Sequence, residues 1–523
     1  MNSDTGILSE NTSELKQKLI SLEQYYEKEI RLLKEQIRFL QDKLFGRKTE
    51  KIHRDDGQLY LFDIPEPEVP AEDSPEDEIT VGTHKRKKRG RKPLPENFPR
   101  VDVIHDLSDA EKQCQCGCQK SCIGEEVSEQ LDIIPAKIQV IRNIRYKYAC
   151  KNCEGVDNDD PTVVTAPMPE QLIPKSIATP GLLAYIITAK FVDALPFYRQ
   201  EKQFRRLGIE ISRANMCRWT IKVSDACEIL LQMFKDEILS GPLINIDETT
   251  VQVLKEPGKT AKSKSYMWIF LGGQPGKPVC LYQYHPGRNG DIAASFLKNY
   301  KGAVQTDGYV GYNFLTGKSD ILHVGCLAHA RRKFVDVTKA AGSLKNKTRV
   351  KGNADIALRY IRKLYKIERK VKEQNLSPEA VFEVRQKKAV PILKDFKKWL
   401  ESIVDKTPPK GLLGKAVTYS LNQWDRLFAY TANGLVKPDN NAAENAIRPF
   451  VIGRKNWLFN STPEGASASA DMYSLIETAK ANDIEPYAYL RYLFENIPTA
   501  MTKEDFKSLM PQYLDKSKLP CNN

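Results

Sequence analysis

The stretch Leu243 to Leu254, LINIDETTVQVL, sets a carboxylate in the middle of a strand. Leu243, Ile244, Ile246, Val251 and Val253, with Thr249 and Thr250, form the β-branched, apolar run of a sheet centre. Asp is depleted in strands, so Asp247 is not there for propensity; by itself it reads as a solvated residue on an edge strand. Period-two alternation turns Glu248 to the opposite face. Two distant acids change the reading. Asp307 closes a second strand-like run, GAVQTDG, and Glu444 lies in DNNAAENAIRPF, whose alanines and following Pro449 predict a short helix. Three carboxylates meeting from separate elements would suit Mg²⁺, or Mn²⁺ in its place. Two such ions can clamp a phosphodiester undergoing in-line displacement.

Downstream of the Asp247 strand, Lys264 to Gly272 and Pro278 to Tyr284 follow at hairpin-like spacing and predict a three-stranded meander. Next come a helix from Asp291 to Tyr300, the strand ending at Asp307, a strand from Ile321 to Val324 and a helix starting near Cys326. Three antiparallel strands followed by strand–helix alternation is the order of a ribonuclease-H-like mixed sheet. In that order the first and fourth strands are neighbours, which sets Asp247 beside Asp307. This core is assigned to residues 240–341 and 436–465. Between them, residues 342–435 are helical in pattern and rich in Lys and Arg, with Ser377-Pro378-Glu379 as a helix start. The segment is too long for a loop and reads as a helical insertion whose charge is either a solvated face or a DNA-facing one. Residues 466–523 read as a C-terminal helical region.

Upstream, residues 170–235 are helical. Leu195-Pro196-Phe197-Tyr198 opens one helix, Gly208 breaks it, and Ser212 caps the next through Met216, Trp219 and Ile221. Such a pair is either a helix-turn-helix or simple packing; Arg205, Arg206, Arg213 and Arg218 favour DNA. Residues 101–165 hold six of the eleven cysteines: Cys114, Cys116, Cys118, Cys122, Cys150 and Cys153, flanking a β-like segment from Gln130 to Tyr148. In a reducing compartment this pattern resembles a zinc ribbon, because C-x₂-C turns present thiolates to Zn²⁺ in pairs. Cys150 and Cys153 make one pair. Cys116 and Cys118 are taken as the other, with Cys114 and Cys122 as alternatives.

Residues 51–100 combine an acidic, proline-rich linker with the basic run KRKKRGRK. There Lys85, Arg86, Lys87, Lys88, Arg89, Arg91 and Lys92 suit phosphates or, in the manner of an AT-hook, an A·T-rich minor groove. In residues 1–50, Leu15, Leu19, Leu22, Tyr26, Ile30, Leu33, Ile37, Leu40 and Leu44 step by three or four. That heptad seam predicts a coiled coil and a homo-oligomer, the alternative being a helix packed on its own domain. With 523 residues the chain is multidomain α+β. Lys plus Arg exceed Asp plus Glu by 80 − 67 = 13, which favours a polyanionic partner. Neither a signal pattern nor a membrane-length apolar run is evident, so a cytoplasmic protein without a membrane partner is expected.

The order LFGRKTEK, IGEEVSEQLDIIPAKIQVIRNIRYKYACKNCE, LPFYRQ, NIDET, QTDGYVGYN, CLAHARRKF, DNNAAENAIRP and GRKNWLF closely resembles transposases of the insertion-sequence-66 family, over Leu44 to about Pro498. The resemblance implies a DDE enzyme with a ribonuclease-H-like core in which Asp247, Asp307 and Glu444 match the catalytic acids. It further implies zinc and DNA-recognition modules upstream, a prokaryotic, nucleoid-associated setting, and small accessory proteins of the same element as partners. The function expected is binding of element ends, metal-dependent cleavage and strand transfer into target DNA. The alternatives are a catalytically inactive, domesticated DNA-binding regulator and a DDE nuclease that does not join. Cys326-Leu-Ala-His329 resembles a Cys-x-x-His motif of several DDE groups and is read as a structural helix start, not a metal site. Leu327 stands where the family commonly has Trp and Asn445 where Arg is common, and the first cysteine group is irregular.

Overall fold

The computed structural model describes residues 4–45, 80–81, 84–85, 138–149, 163–340 and 352–519. They fall into two compact units, Ile64–Met168 and Met1–Asp63 with Pro169–Asn523. Within the smaller unit, β1 (Thr80–Val81) pairs with β2 (His84–Lys85), and β3 (Lys147–Ala149) with β4 (Val163–Thr165), both antiparallel. The β-like segment expected up to Tyr148 is shorter than its composition suggests. Residues 138–146 are irregular, with Val140, Ile141 and Ile144 exposed and unpaired by any strand among the described residues. All six clustered cysteines, and the basic run from Arg86 to Lys92, lie outside the described residues.

The larger unit opens with α1 (Asp4–Phe45). Seam residues Leu19, Leu22, Tyr26, Ile30, Leu33, Ile37 and Leu40 are 49–60 % exposed. A different side of the helix meets the body, where Leu32 packs beside Gly411. Next come α2 (Pro180–Phe191), α3 (Phe197–Arg206), α4 (Arg213–Ala226) and α5 (Glu228–Ser240). Thr179 and Ser212 cap α2 and α4 with their hydroxyls, and Gly208 at φ +80° turns the chain between α3 and α4.

The sheet has five strands in the order β7-β6-β5-β8-β9: β5 (Leu243–Gln252), β6 (Lys264–Gln274), β7 (Lys277–His285), β8 (Gly302–Gln305) and β9 (Ile321–Val324). The first three are antiparallel, and β8 and β9 run parallel to β5. A short α6 (Gly290–Phe296) precedes β8; it ends before the expected Tyr300, and Asn299 at φ +64° turns the chain. After β9 comes α7 (Leu327–Ala340). Then α8 (Asn353–Glu373), α9 (Pro378–Val384), α10 (Val390–Val404), α11 (Leu412–Asn422) and α12 (Trp424–Ala429) fill the stretch before α13 (Asn441–Trp457). Finally α14 (Pro463–Ala481), α15 (Pro486–Asn496) and α16 (Lys503–Leu509) close the chain.

Two apolar clusters meet at the sheet. Alternation in β8 sends Val304 into the cluster built with α2–α6 and α13–α16, and Ala303 into the one built with α7, α8 and α10–α12. The helix carrying Glu444 is not short: α13 continues through Pro449 to Trp457. Proline inside a helix costs about 3 kcal/mol. Burial of Ile447 and Phe450 offsets it, and the Tyr282 hydroxyl donates to the Ala446 carbonyl beside the break.

The free edge of β7 is covered by α14 rather than by another strand. Ser474 Oγ accepts from Tyr282 N at 2.8 Å, Thr478 Oγ1 accepts from Cys280 N at 3.0 Å, and Asn482 Nδ2 donates to Pro278 O at 2.9 Å. Four helical residues rise about 6 Å and two strand residues about 6.8 Å, so hydroxyls every four residues match strand N–H groups every two. Thr478→Val keeps the shape but orphans the Cys280 N–H. We expect a loss of about 1–3 kcal/mol, read as a lower urea midpoint; an unchanged midpoint would remove Thr478 from this role.

Candidate active site

Leu243, Asn245 and Asp247 share one face of β5 by alternation, the face that α7 covers. Asn245 is opposite Gln305 of parallel β8, and Asp307, two residues beyond Gln305, lies near enough to Asp247 to raise its pKa. Asp307 lies just past β8, where its carboxylate accepts from Tyr309 N at 2.9 Å. Glu444 occupies the first turn of α13, the end of a helix that favours negative charge. Asp247 registers the convergence: burial raises its pKa well above the usual carboxylate range, and Glu248, Asp307 and Glu444 raise it further. Burial and like-charged neighbours both disfavour the ionised form here.

A buried amide clamp fixes where α13 begins. Asn245 Nδ2 donates to Gln305 Oε1 and to Asn440 Oδ1, both at 2.9 Å, and Asn440 Nδ2 donates to Ile246 O at 2.9 Å. Gln305 Nε2 donates to Lys437 O at 2.8 Å, and Leu327 N donates to Pro438 O at 2.9 Å. Asn245, Gln305 and Asn440 are 6 %, 1 % and 1 % exposed, so hydrogen bonds such as these, with Gln305 Nε2 also donating to Gly325 O at 3.4 Å, stand in for water. They fasten residues 437–440 across β5 and β8 and start α13 over the acids. None of the three is singled out by the sequence pattern. For Asn245 and Gln305 the signal is an amide two residues before an aspartate; Asn440 has no such mark.

Residues of α7 flank Glu444. Arg332 Nη2 lies 3.2 Å from Oε2 and His329 Nδ1 3.6 Å from Oε1. Cys326, His329 and Glu444 hold their donor atoms within 4.8 Å of one another. Cys326 Sγ accepts from Asn440 N at 3.2 Å, and burial pushes its thiol up to about 12, the state of a structural thiol. Burial also lowers the His329 pKa, against the pull of Glu444.

Glu248, facing the other way, is not solvated either. Its side chain is 1 % exposed, and Arg288 approaches through Nε at 2.7 Å and Nη2 at 2.5 Å. Tyr312 donates to it as well, and Arg288 stacks 3.8 Å from the Tyr309 ring. This knot ties the loop after Asp307 to β5. Further along β5, Arg454 Nη1 reaches Thr249 Oγ1 at 3.3 Å and Thr250 Oγ1 at 3.2 Å. Arg205, Arg206, Arg213 and Arg218 are all exposed at the α3–α4 pair, away from the acids in sequence, with Arg218 bonded to Asn215.

Residues 175–468, which include all three acids, match the family described as "Transposase IS66 family". Residues 474–512 match "IS66 C-terminal element", 111–154 match "zinc-finger binding domain of transposase IS66", and 32–103 match "Transposase C of IS166 homeodomain". The zinc-finger match spans all six clustered cysteines. Among curated relatives from Sinorhizobium fredii (strain NBRC 101917 / NGR234), "Uncharacterized protein y4jD" is 31% identical over 498 residues, covering 92% of this chain and 94% of the relative. "Uncharacterized protein y4qI" is 30% identical over 447 residues, 83% and 80% of the two chains. No helix among the described residues is long and apolar enough to cross a membrane. A zinc-finger segment, a carboxylate cluster built on a mixed sheet, and a family match over more than half the chain lead to one conclusion: this chain belongs to the IS66 family of transposases.

Proposed function

We propose that the chain binds the ends of an insertion sequence, cleaves DNA there and joins the freed 3′-hydroxyl to target DNA. The observation that carries this reading is the placement of Asp247 in the middle of β5, Asp307 just past the neighbouring β8 and Glu444 in the first turn of the clamped α13, near enough for Asp307 and Glu444 to raise the Asp247 pKa. The strand order β7-β6-β5-β8-β9 is that expected of a ribonuclease-H-like core. Asp247, Asp307 and Glu444 would hold two Mg²⁺ ions, which when bound activate the attacking hydroxyl or water and stabilise the leaving oxygen. Arg332 and His329 orient Glu444, and the amide clamp holds its helix in register with the two aspartates. A pre-cleaved end mixed with a target plasmid and Mg²⁺ tests the reading. Joined product is expected; hydrolysis without joining would make the chain a nuclease, and end binding without either a regulator.

Arg205, Arg206, Arg213 and Arg218 on α3 and α4, and the basic residues 85–92, supply DNA contacts that position the ends. One structural Zn²⁺ is held by Cys150 and Cys153 with two of the first four cysteines, Cys116 and Cys118 foremost. Elemental analysis of a Cys150→Ser, Cys153→Ser protein should find zinc lost; unchanged stoichiometry would sink the assignment.

The exposed seam of α1 pairs two copies, which suits a reaction that must bring two ends together. Because Leu33 and Leu40 are 53% and 54% exposed, changing both to Lys removes no packing within one chain. Sedimentation should then show monomer. An unchanged oligomer would locate the contact elsewhere.

A further inference from the structure

Helix α8 presents two unlike sides. Ala354, Ala357, Ile361 and Leu364 are buried in the second apolar cluster and Val371 is buried too, while Arg359, Arg362, Lys363, Lys366, Arg369 and Lys370 are exposed. At 100° per residue the six cations gather on one stripe opposite the buried side, extending about 17 Å along the axis.

Neutralisation within the helix is confined to its ends, where Asp355 and Glu373 stand at i, i+4 spacing from Arg359 and Arg369. From Ile356 to Lys372 the one carboxylate is Glu368, and it is turned inward. There Arg385, 2 % exposed, grips it through Nε at 3.0 Å and Nη2 at 2.6 Å, and donates through Nη1 to the carbonyls of Tyr430 and Asn433. The remaining anion is therefore spent on a buried cation. None of the six stripe residues makes an ion pair among the described residues. A solvated helix face usually alternates charge; between Arg359 and Lys370 this one does not.

The stripe also has a defined place. α8 packs on α7, the helix that brings Arg332 to Glu444, and Arg362 lies close enough to Arg331 to oppose its charge. Tyr365 of α8 lies beside Asp439, five residues before Glu444, and offsets part of the rise that burial imposes on its carboxyl. The stripe is thus the outer face of a helix packed against the one that flanks the acids.

We infer that the outer face of α8 is a second DNA-binding surface, contacting the phosphate backbone of duplex DNA without regard to sequence, as a target duplex requires. The inference rests on the proposed transposase activity for its purpose, not for its test. Along a duplex, about 17 Å holds roughly five phosphates of each strand, enough to engage three or more of these side chains. No aromatic or amide side chain interrupts the stripe to read bases, so its contribution is to affinity and salt dependence.

The experiment uses the full chain and an unrelated duplex. In R362E/K366E/R369E, log K against log salt should flatten by roughly two to three units of slope, at about 0.9 for each phosphate no longer neutralised. Affinity at fixed moderate salt should fall at least tenfold, with the melting temperature unchanged because all three residues are exposed. In the unmodified chain, duplex should protect Lys363, Lys366 and Lys370 from amine acylation, while exposed Lys516 and Lys518 stay reactive. An unchanged slope, or weakened binding with these lysines unprotected, would return the stripe to a solvated face. A wild-type chain that binds no duplex at all would sink the proposed function too, whereas a chain that binds and joins DNA but ignores the triple change sinks only this inference.

Discussion

Asp247→Asn, Asp307→Asn and Glu444→Gln are each expected to abolish cleavage and joining while DNA binding survives. The amides are nearly isosteric with the carboxylates but carry no charge, so they cannot hold a divalent cation against the phosphates. Removing a single donor to developing charge costs about 10²–10³ in rate. Loss of a cation-holding carboxylate should exceed that. Binding is expected to be retained because the proposed phosphate and groove contacts lie on other elements. The measurement is a gel shift beside a Mg²⁺-dependent strand-transfer assay. Retained joining in any variant would remove that residue from the active site, and joint loss of binding and fold would make it structural.

The same substitution at Asp247 carries a stability signature. The carboxyl is raised above its ordinary 3.8 by burial and by its acidic neighbours. The folded chain therefore keeps the Asp247 proton at pH values where the unfolded chain has released it. Folding stability in the absence of divalent cation then falls as pH rises above 3.8, up to the raised folded value. Asparagine cannot ionise, so Asp247→Asn should melt higher than wild type at neutral pH without metal, and the gain should vanish below about pH 4. A variant that melts lower at neutral pH would mean that the carboxylate is stabilised by partners rather than strained.

The parts of this fold that were legible in sequence are those set by local pattern. Alternating β-branched residues marked β5, and hairpin spacing marked β6 and β7. With β8 as the parallel neighbour of β5, the Asn245–Gln305 register carries Asp307 toward Asp247, near enough to raise its pKa. Gly208 and Ser212 marked the turn and cap between α3 and α4 because each acts on its own backbone. What sequence concealed depends on partners far along the chain. Pro449 reads as a helix end, yet burial of Phe450 carries α13 through it. Ser474 and Thr478 look like poor helix residues until β7 needs their hydroxyls. Glu248 alternates away from Asp247 as expected, but its burial beside Arg288 required a residue 40 positions away.

Asn440 is where this concealed order bears most on chemistry, and Asn440→Leu is expected to cut joining about 100-fold while leaving the acids untouched. Its side chain accepts from Asn245 and donates to the Ile246 carbonyl, so it ties the start of α13 to the strand that carries Asp247. Leucine has similar volume but neither hydrogen-bonding group. One acceptor for Asn245 and one donor to β5 disappear together, and each buried orphan costs about 1–3 kcal/mol. Relaxation would shift the loop at 437–440, and a displacement of about 1 Å in a reacting group can cost about 10²-fold. Asn440→Asp separates geometry from bulk: it keeps the acceptor for Asn245, loses the donor to Ile246, and adds an anion to a site already crowded with them. It should therefore be at least as damaging, and the damage should shrink as divalent cation is raised. For Asn440→Leu, by contrast, added cation should restore little, because the fault lies in where Glu444 is held. Equal rescue of both variants by cation would show that Asn440 acts through charge, and normal joining by Asn440→Leu would show that α13 is positioned without the clamp.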